Sequence, residues 1–353
     1  MRGWSCGRNA SGNEREQPDC RERGIVRRRQ IIAGLAGTLS LLAFPALAQP
    51  ARKVWRIAFL GDGPRAERFE ISLKPFLDGL AELGYSIGDN VMVEERWSEG
   101  DSSRLPLIAT ELVGLKPEVI VTFGIPAAKA LHTATQSIPI VVAAAPDLIA
   151  TGLAASLAHP GGNVTGLTDQ TSDFTEKEIQ VLRDAIPGLR RVSILWNSAN
   201  PGASLTFEAT RRAAEKAGLQ IKVVGVTAAQ ELDSAIAAAA QDRPDGLVVV
   251  NDALTVSYRR QIAEAALRHR LPSICALSPF ADAGGLITYG PNLPSLYKRA
   301  AVFVDRILKG AKPADIPIEQ PTRFELRINL NTAKALGITI PQPLLLLADE
   351  LIE

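Results

Sequence analysis

PEVIVTFGIPAAKALHTATQSIPIVVAAAPD, residues 117–147, is the stretch that decides the fold. It opens on PEVIVTFG, a Val- and Ile-rich run of strand length that is too short for a core helix. Gly124 ends the run. Pro126 follows at a first-turn position, where its missing N–H removes no hydrogen bond, and the chain to Thr135 reads as a helix. IPIVVAAA is then a second apolar run, stopped by Pro146 and Asp147. A strand, a helix and a strand, with both strands apolar throughout, make the unit that builds a parallel sheet covered by helices.

The same alternation extends in both directions. Upstream lie the strand VWRIAFLG, a helix from Ala66 to Leu83 closed by Gly84, the strand VMVEERW and a helix from Ser103 to Leu115. Downstream, a short helix from Thr151 to Ala158 leads to PGGNVTG, whose proline and glycines punctuate the chain where one sheet should end and another begin. The second half repeats the design: helix Asp173–Ile186, strand RRVSILWN, helix Pro201–Ala217, strand LQIKVVGV, helix Ala228–Ala240, strand DGLVVVND, helix Leu254–Arg270 and strand LPSICAL. GGLITYG adds a strand and Pro294–Lys309 a helix. FELRINL and a short helix from Thr332 to Leu336 follow in a proline-rich tail. The expected fold is α/β with two lobes, each a parallel sheet flanked by helices, and a cleft between them. Lobe I is expected from 53–165 plus about 279–310, and lobe II from 166–278 plus about 311–353.

At 353 residues the chain is long enough for two cores. Lys and Arg total 39 against 38 Asp and Glu, so no cationic surplus exists to hold nucleic acid or an anionic bilayer. Arg27, Arg28 and Arg29, the apolar run Ile31–Ala43 and then PALAQ have the three parts of an export signal, with cleavage expected after Ala48. The signal is therefore placed at 26–48, and the polar residues 1–25 before it read as a mis-annotated extension, with translation starting at Val26. The protein is expected in the periplasm. Cys6 and Cys20 precede the expected mature start, which leaves Cys275 alone in an apolar run as a small buried hydrophobe.

Ligands of parallel sheets bind at the carboxyl ends of the strands, where loops and helix N-termini present unpaired backbone N–H groups. In the first half that rule selects Gly61 and Asp62, then Phe123, Gly124 and Ile125, then Ala145, Pro146 and Asp147. In the second half it selects Trp196, Asn197 and Ser198, then Asn251 and Asp252, then Ser278. Gly, Asn, Asp and Ser at strand ends also serve as turn and cap residues, so each has a structural reading beside the binding one. No phosphate loop ending in Lys-Ser/Thr, no GxSxG elbow, no HExxH and no paired CxxC occurs. His132, His159 and His269 lack the spacing of a helical metal site. No catalysis, metal or cofactor is expected.

RRRQII (27–32), LAELGYSIGDNVMVEERWSEGDSSRLP (80–106), PEVIVTFGIPAAKALHTAT (117–135), GLAASLAHPGGNVTGLT (152–168), RILKGAKPADIPIEQPTRFELRINLNTAKALG (306–337) and the ADELIE tail occur in one order. In this the chain resembles an ABC-transporter substrate-binding family with the type I periplasmic binding fold. The resemblance implies a solute closed between two lobes and delivered to an ABC permease and its ATPase, by a protein expected to be a monomer. Some relatives are similar to aromatic amino-acid receptors, which makes Trp, Tyr or Phe the first ligand expectation. The resemblance also implies that the backbone around Gly124, Pro126 and Ala127 meets a ligand carboxylate at a helix N-terminus. Two loops depart from the family pattern: Pro146-Asp147-Leu148 stands where Asp-Pro is usual, and Asn197-Ser198-Ala199-Asn200-Pro201 where Asn-Pro-Asn-Asn-Pro is commoner. A sensing module for a membrane receptor or kinase would need the same fold and cleft, and an exported α/β hydrolase is the enzymatic alternative.

Overall fold

A strand in the middle of a parallel sheet is covered on both faces, so it must be apolar at every position rather than at alternate ones. Val119–Thr122 and Ile140–Val142 are buried at every residue. They form the centre of the first sheet in a computed structural model that describes residues 53–169 and 174–353. The expectations placed on 1–25, on 26–48 and on a helix start at Asp173 lie outside the described residues.

The first sheet holds β1 (Trp55–Gly61), β2 (Val91–Trp97), β3 (Val119–Thr122), β4 (Ile140–Val142) and β5 (Val164–Gly166), all parallel, in the order β2-β1-β3-β4-β5. The second holds β6 (Arg191–Asn197), β7 (Gln220–Val226), β8 (Gly246–Val249), β9 (Ser273–Cys275), β10 (Ile287–Gly290), β11 (Glu325–Asn329) and β12 (Glu350–Ile352), in the order β12-β11-β10-β9-β8-β6-β7. Helices α1 (Arg65–Arg68), α2 (Leu73–Glu82), α3 (Leu105–Gly114) and α4 (Ile125–Ala134) flank the first sheet. With the second go α5 (Phe174–Ala185), α6 (Pro201–Lys216), α7 (Leu232–Gln241), α8 (Ala253–Ser257), α9 (Arg259–Arg268) and α10 (Pro279–Asp282). α11 (Leu293–Leu308) crosses back to pack on α2, β3 and β4, and α12 (Leu330–Leu336) and α13 (Gln342–Leu347) close the chain.

The second sheet is mixed rather than wholly parallel, because β11 runs antiparallel to β10. The cause is the crossover: β10 runs toward the first lobe, and the chain visits that lobe as α11. It then re-enters from the same side, so the strand that follows must run away from it. β10, which the expected boundaries assign to lobe I, is bonded to β9 and β11 of the second sheet. One apolar cluster, with Phe59, Phe76 and Phe123 from the first lobe and Leu195, Val249 and Leu277 from the second, runs beneath both lobes.

Three other departures have local causes. The single helix expected over Ala66–Leu83 is α1, a 3-10 turn (Phe69–Ile71) and α2. The break falls at Ser72, which leaves helical geometry at φ −127° and whose Oγ donates to the Arg68 carbonyl at 2.6 Å. The helix expected over Thr151–Ala158 is absent. There the Asp147 carboxylate accepts the Ile149 and Ala150 N–H groups, and Leu153 and Ala154 both donate to the Leu148 carbonyl, which ties the segment into turns. PGGNVTG, read as a turn, carries β5. The short tail elements α13 and β12 were also not expected as structure.

Candidate functional site

The carboxyl ends of β1, β3 and β4 face those of β6 and β8 across a small cavity of about 50 Å³. Asp62, Arg68, Phe123 and Pro126 line it from the first lobe. Asn200, Gly202, Asn251, Asp252 and Leu277 line it from the second, and Asp169, Leu293 and Tyr297 from the crossovers. A larger space of about 580 Å³ lies outside it and shares Asp62, Pro126, Asn200 and Asp252 with it. The lobes meet tightly over the cavity. A side chain at Gly202, in the first turn of α6, would stand 2.8 Å from Ile125 at the start of α4, so only glycine permits this approach. Arg259 donates to the Glu67 carbonyl at 3.3 Å across the same gap.

Arg68 is the unusual group. It ends α1 and is only 3 % exposed. Its guanidinium carbon lies 4.3 Å from the Phe123 ring centroid, and Nη2 donates to the Tyr297 hydroxyl at 3.1 Å. Nε and Nη1 have no partner. Burial raises the Tyr297 phenol far above its ordinary range, so it stays neutral. Phe123 is held from behind by an aromatic cluster: its centroid is 6.3 Å from Phe59 and 6.5 Å from Trp97, and it meets Tyr297 edge-on at 5.5 Å.

Asp169 is the counterpart. It is 7 % exposed, its Oδ2 accepts a long 3.4 Å bond from Asn251, and its Oδ1 has no partner. Burial pushes this carboxyl up to about 6. The other two carboxyls in the cavity wall are satisfied. Asp62 accepts from the Ser98 hydroxyl at 2.8 Å and the Ser102 hydroxyl at 3.1 Å. Asp252 caps α8 through the Thr255 N–H at 2.9 Å and accepts from the Asn197 and Asn200 side chains, while burial raises its pKa. These two hold loops together, whereas Arg68 and Asp169 face the cavity with bonds to spare.

Of the residues selected from sequence, Asp62, Phe123, Gly124, Pro126, Asn251 and Asp252 line the inner cavity. Asn197 lies on the outer space. Gly61 sits under Trp97, whose indole leaves no room for a Cβ at that position. Ala127 is buried inside α4, and the Gly124 N–H is already donated to the Ala144 carbonyl at 2.8 Å. Asp147 is exposed and caps its own turn, Ser198 is exposed with its hydroxyl toward the Val226 carbonyl, and Ser278 borders a separate groove beside Arg327. Trp196 stacks on Phe207 at 4.3 Å, away from the cavity. Arg68 and Asp169 were not selected. An arginine among Arg65, Glu67 and Glu70 reads as one face of a solvated helix, and an aspartate in GLTDQTSD reads as a turn. Among the described residues no cluster of His, Cys, Asp and Glu could hold a metal ion, and no helix is long and apolar enough to cross a membrane.

A model of the ABC transporter substrate binding protein family matches residues 69–352. The chain belongs to that family. The chain is similar to a tyrosine-binding protein of Clostridioides difficile (strain R20291), 27% identical over 265 residues that span 75% of this chain and 76% of that protein. Among solved structures, an ABC domain from Streptococcus pneumonia in complex with L-Trp superposes with a TM-score of 0.79 at 28% identity, covering 85% of this chain and 100% of that one. A conserved domain protein from Vibrio cholerae superposes at 0.80 with 26% identity and the same coverage. The fold of this ABC transporter substrate-binding protein is the type I periplasmic binding fold, and its cavity lies between the two lobes of that fold.

Proposed function

We propose that this substrate-binding protein works outside the cytoplasm, closes its two lobes over an amino acid with an aromatic side chain, and presents the closed form to an ABC permease and its ATPase. The observation that carries the reading is the space between the lobes, where a small cavity walled by Phe123 and Tyr297 and lined by polar groups that the protein itself leaves unpaired adjoins a larger space of about 580 Å³. Buried polar atoms without partners are costly, so a cavity that gathers them is built for an occupant that supplies the missing bonds. The names of two relatives, one tyrosine-binding and one solved with L-Trp, point to the same ligand class.

In this reading closure is a hinge motion about the crossovers near Thr168, Asn292 and Glu319, with lobe I formed by 53–165 and α11 and lobe II by the rest. The protein works as a monomer and performs no chemistry on its ligand. It reaches its compartment through the signal at 26–48. Isothermal titration of the purified chain against the twenty L-amino acids, a set of nucleosides and a set of small carboxylic acids tests the reading. Binding of Tyr, Trp or Phe with a matching rise in melting temperature supports it. Binding confined to nucleosides or simple acids refutes it.

A further inference from the structure

We propose that Arg68 and Asp169 are the two poles of a zwitterion site, the guanidinium taking the α-carboxylate and the Asp169 carboxylate taking the α-ammonium, so that the ligand must be a free α-amino acid. This rests on the amino-acid reading above and assigns it to atoms. Arg68 is almost fully buried, yet two of its nitrogens have no partner, and Asp169 is almost fully buried with one oxygen unpartnered. Both line one cavity, and no ion pair joins them. A buried cation and a buried carboxyl that do not neutralise each other call for a molecule carrying both opposite charges, and the adjoining space of about 580 Å³ supplies the volume for it.

The charge inventory narrows the class further. Asp62, Asp169 and Asp252 share the wall with a single arginine, which disfavours a phosphate or any other polyanion. Arg68 equally disfavours a simple amine. Asp62 and Asp252 have their bonds filled by Ser98, Ser102, Thr255 and the asparagines, so only Asp169 remains to meet an ammonium. The Phe123 face beneath Arg68 and the Tyr297 hydroxyl at Nη2 fix the guanidinium before a ligand arrives.

The test is a ligand and variant cycle on the purified chain, read by isothermal titration with L-tyrosine, L-tyrosinamide, tyramine, N-acetyl-L-tyrosine and 3-(4-hydroxyphenyl)propionate, and with the matching tryptophan series. Wild-type protein should bind the free amino acid about 100-fold more tightly than any derivative that lacks or blocks either charge. Arg68→Gln should bring the acid down to the affinity of its amide while changing the amide less than about threefold, and Asp169→Asn should do the same for the des-amino acid. Arg68→Lys, which keeps the charge, should retain part of the preference. If Arg68→Gln weakens acid and amide equally, or if wild-type protein accepts amides and amines as well as free amino acids, the assignment is overturned while the amino-acid reading stands. If no free amino acid of the twenty binds the wild type, the amino-acid reading falls and takes the assignment with it. The wild-type derivative series decides the matter even if a variant fails to fold.

Discussion

Glu178 should make the protein less stable as pH rises through neutrality, and replacing it should remove that loss. The residue lies on α5, which packs against β9 and β10, and it is 3 % exposed. Its Oε1 has no partner, and burial alone pushes the carboxyl up to about 8 from an ordinary value of 4.5. The neighbouring Cys275 thiol is itself pushed up to about 12, first by burial and further by Glu178, so it stays neutral beside the carboxyl. A group whose pKa is raised on folding stabilises the native state fully below its unfolded value, and that stabilisation is lost as pH rises toward the folded value. Here the window runs from about 4.5 to about 8. At 1.36 kcal/mol per pH unit, keeping Glu178 protonated in the folded state costs about 1 kcal/mol at pH 5 and about 3 kcal/mol at pH 7. Glu178→Gln cannot ionise. Relative to wild type it should therefore gain about 2 kcal/mol more at pH 7 than at pH 5, measured from urea denaturation midpoints and slopes at the two values. Asp169 also titrates in this range, but it is present in both proteins and cancels in the difference. A gain equal at the two pH values would refute the argument. Glu178→Met, which has no amide to satisfy, separates loss of ionisation from the cost of a new buried polar group.

Three further outcomes follow from contacts already described. Gly202→Val should hold the lobes apart, because its Cβ would lie 2.8 Å from Ile125. Small-angle scattering should then show no compaction on adding ligand, and affinity should fall by about tenfold or more. Asp252→Ala removes the cap of α8 and frees Asn197 and Asn200 at once, so it should cost about 1–2 kcal/mol in urea denaturation and weaken binding besides. Cys275 is buried and its thiol is pushed up to about 12, so it should stay unmodified by iodoacetamide at pH 8 in the native protein and react when the protein is unfolded.

The alternation of apolar runs with helical stretches was enough to read two α/β lobes, because a strand buried on both faces has no other way to be written. PEVIVTFG and IPIVVAAA carry that information within eight residues each. The antiparallel β11 was not legible. FELRINL alternates as an edge strand does, but its direction depends on where α11 leaves its partner sheet, which is a property of topology rather than of those seven residues. The missing helix at Thr151 is written in the backbone bonds: the Gly152 N–H goes to the Ile149 carbonyl and the Leu153 and Ala154 N–H groups both go to the Leu148 carbonyl, in place of the i to i+4 ladder of a helix.

The site was half legible for the same reason. The strand-end rule reaches Asp62, Phe123, Asn251 and Asp252 because parallel strands end where the lobes face each other. It selects by position in a sheet, and so it cannot separate a carboxylate that ties loops together from one held for a ligand. Asp62 and Asp252 line the cavity and also tie loops together through Ser98, Ser102, Asn197 and Asn200. Arg68 lies beyond the rule altogether, since it comes from the end of a short helix rather than from a strand end. Asp169 sits in a crossover, where sequence alone sees a turn. What marks these two is unsatisfied bonding in a cavity between the lobes, a quantity that exists only once both lobes are in place. The same incompleteness ties binding to motion: with the cavity empty, the closed form buries a cation and a carboxyl without partners, whereas an occupant that completes both makes closure favourable.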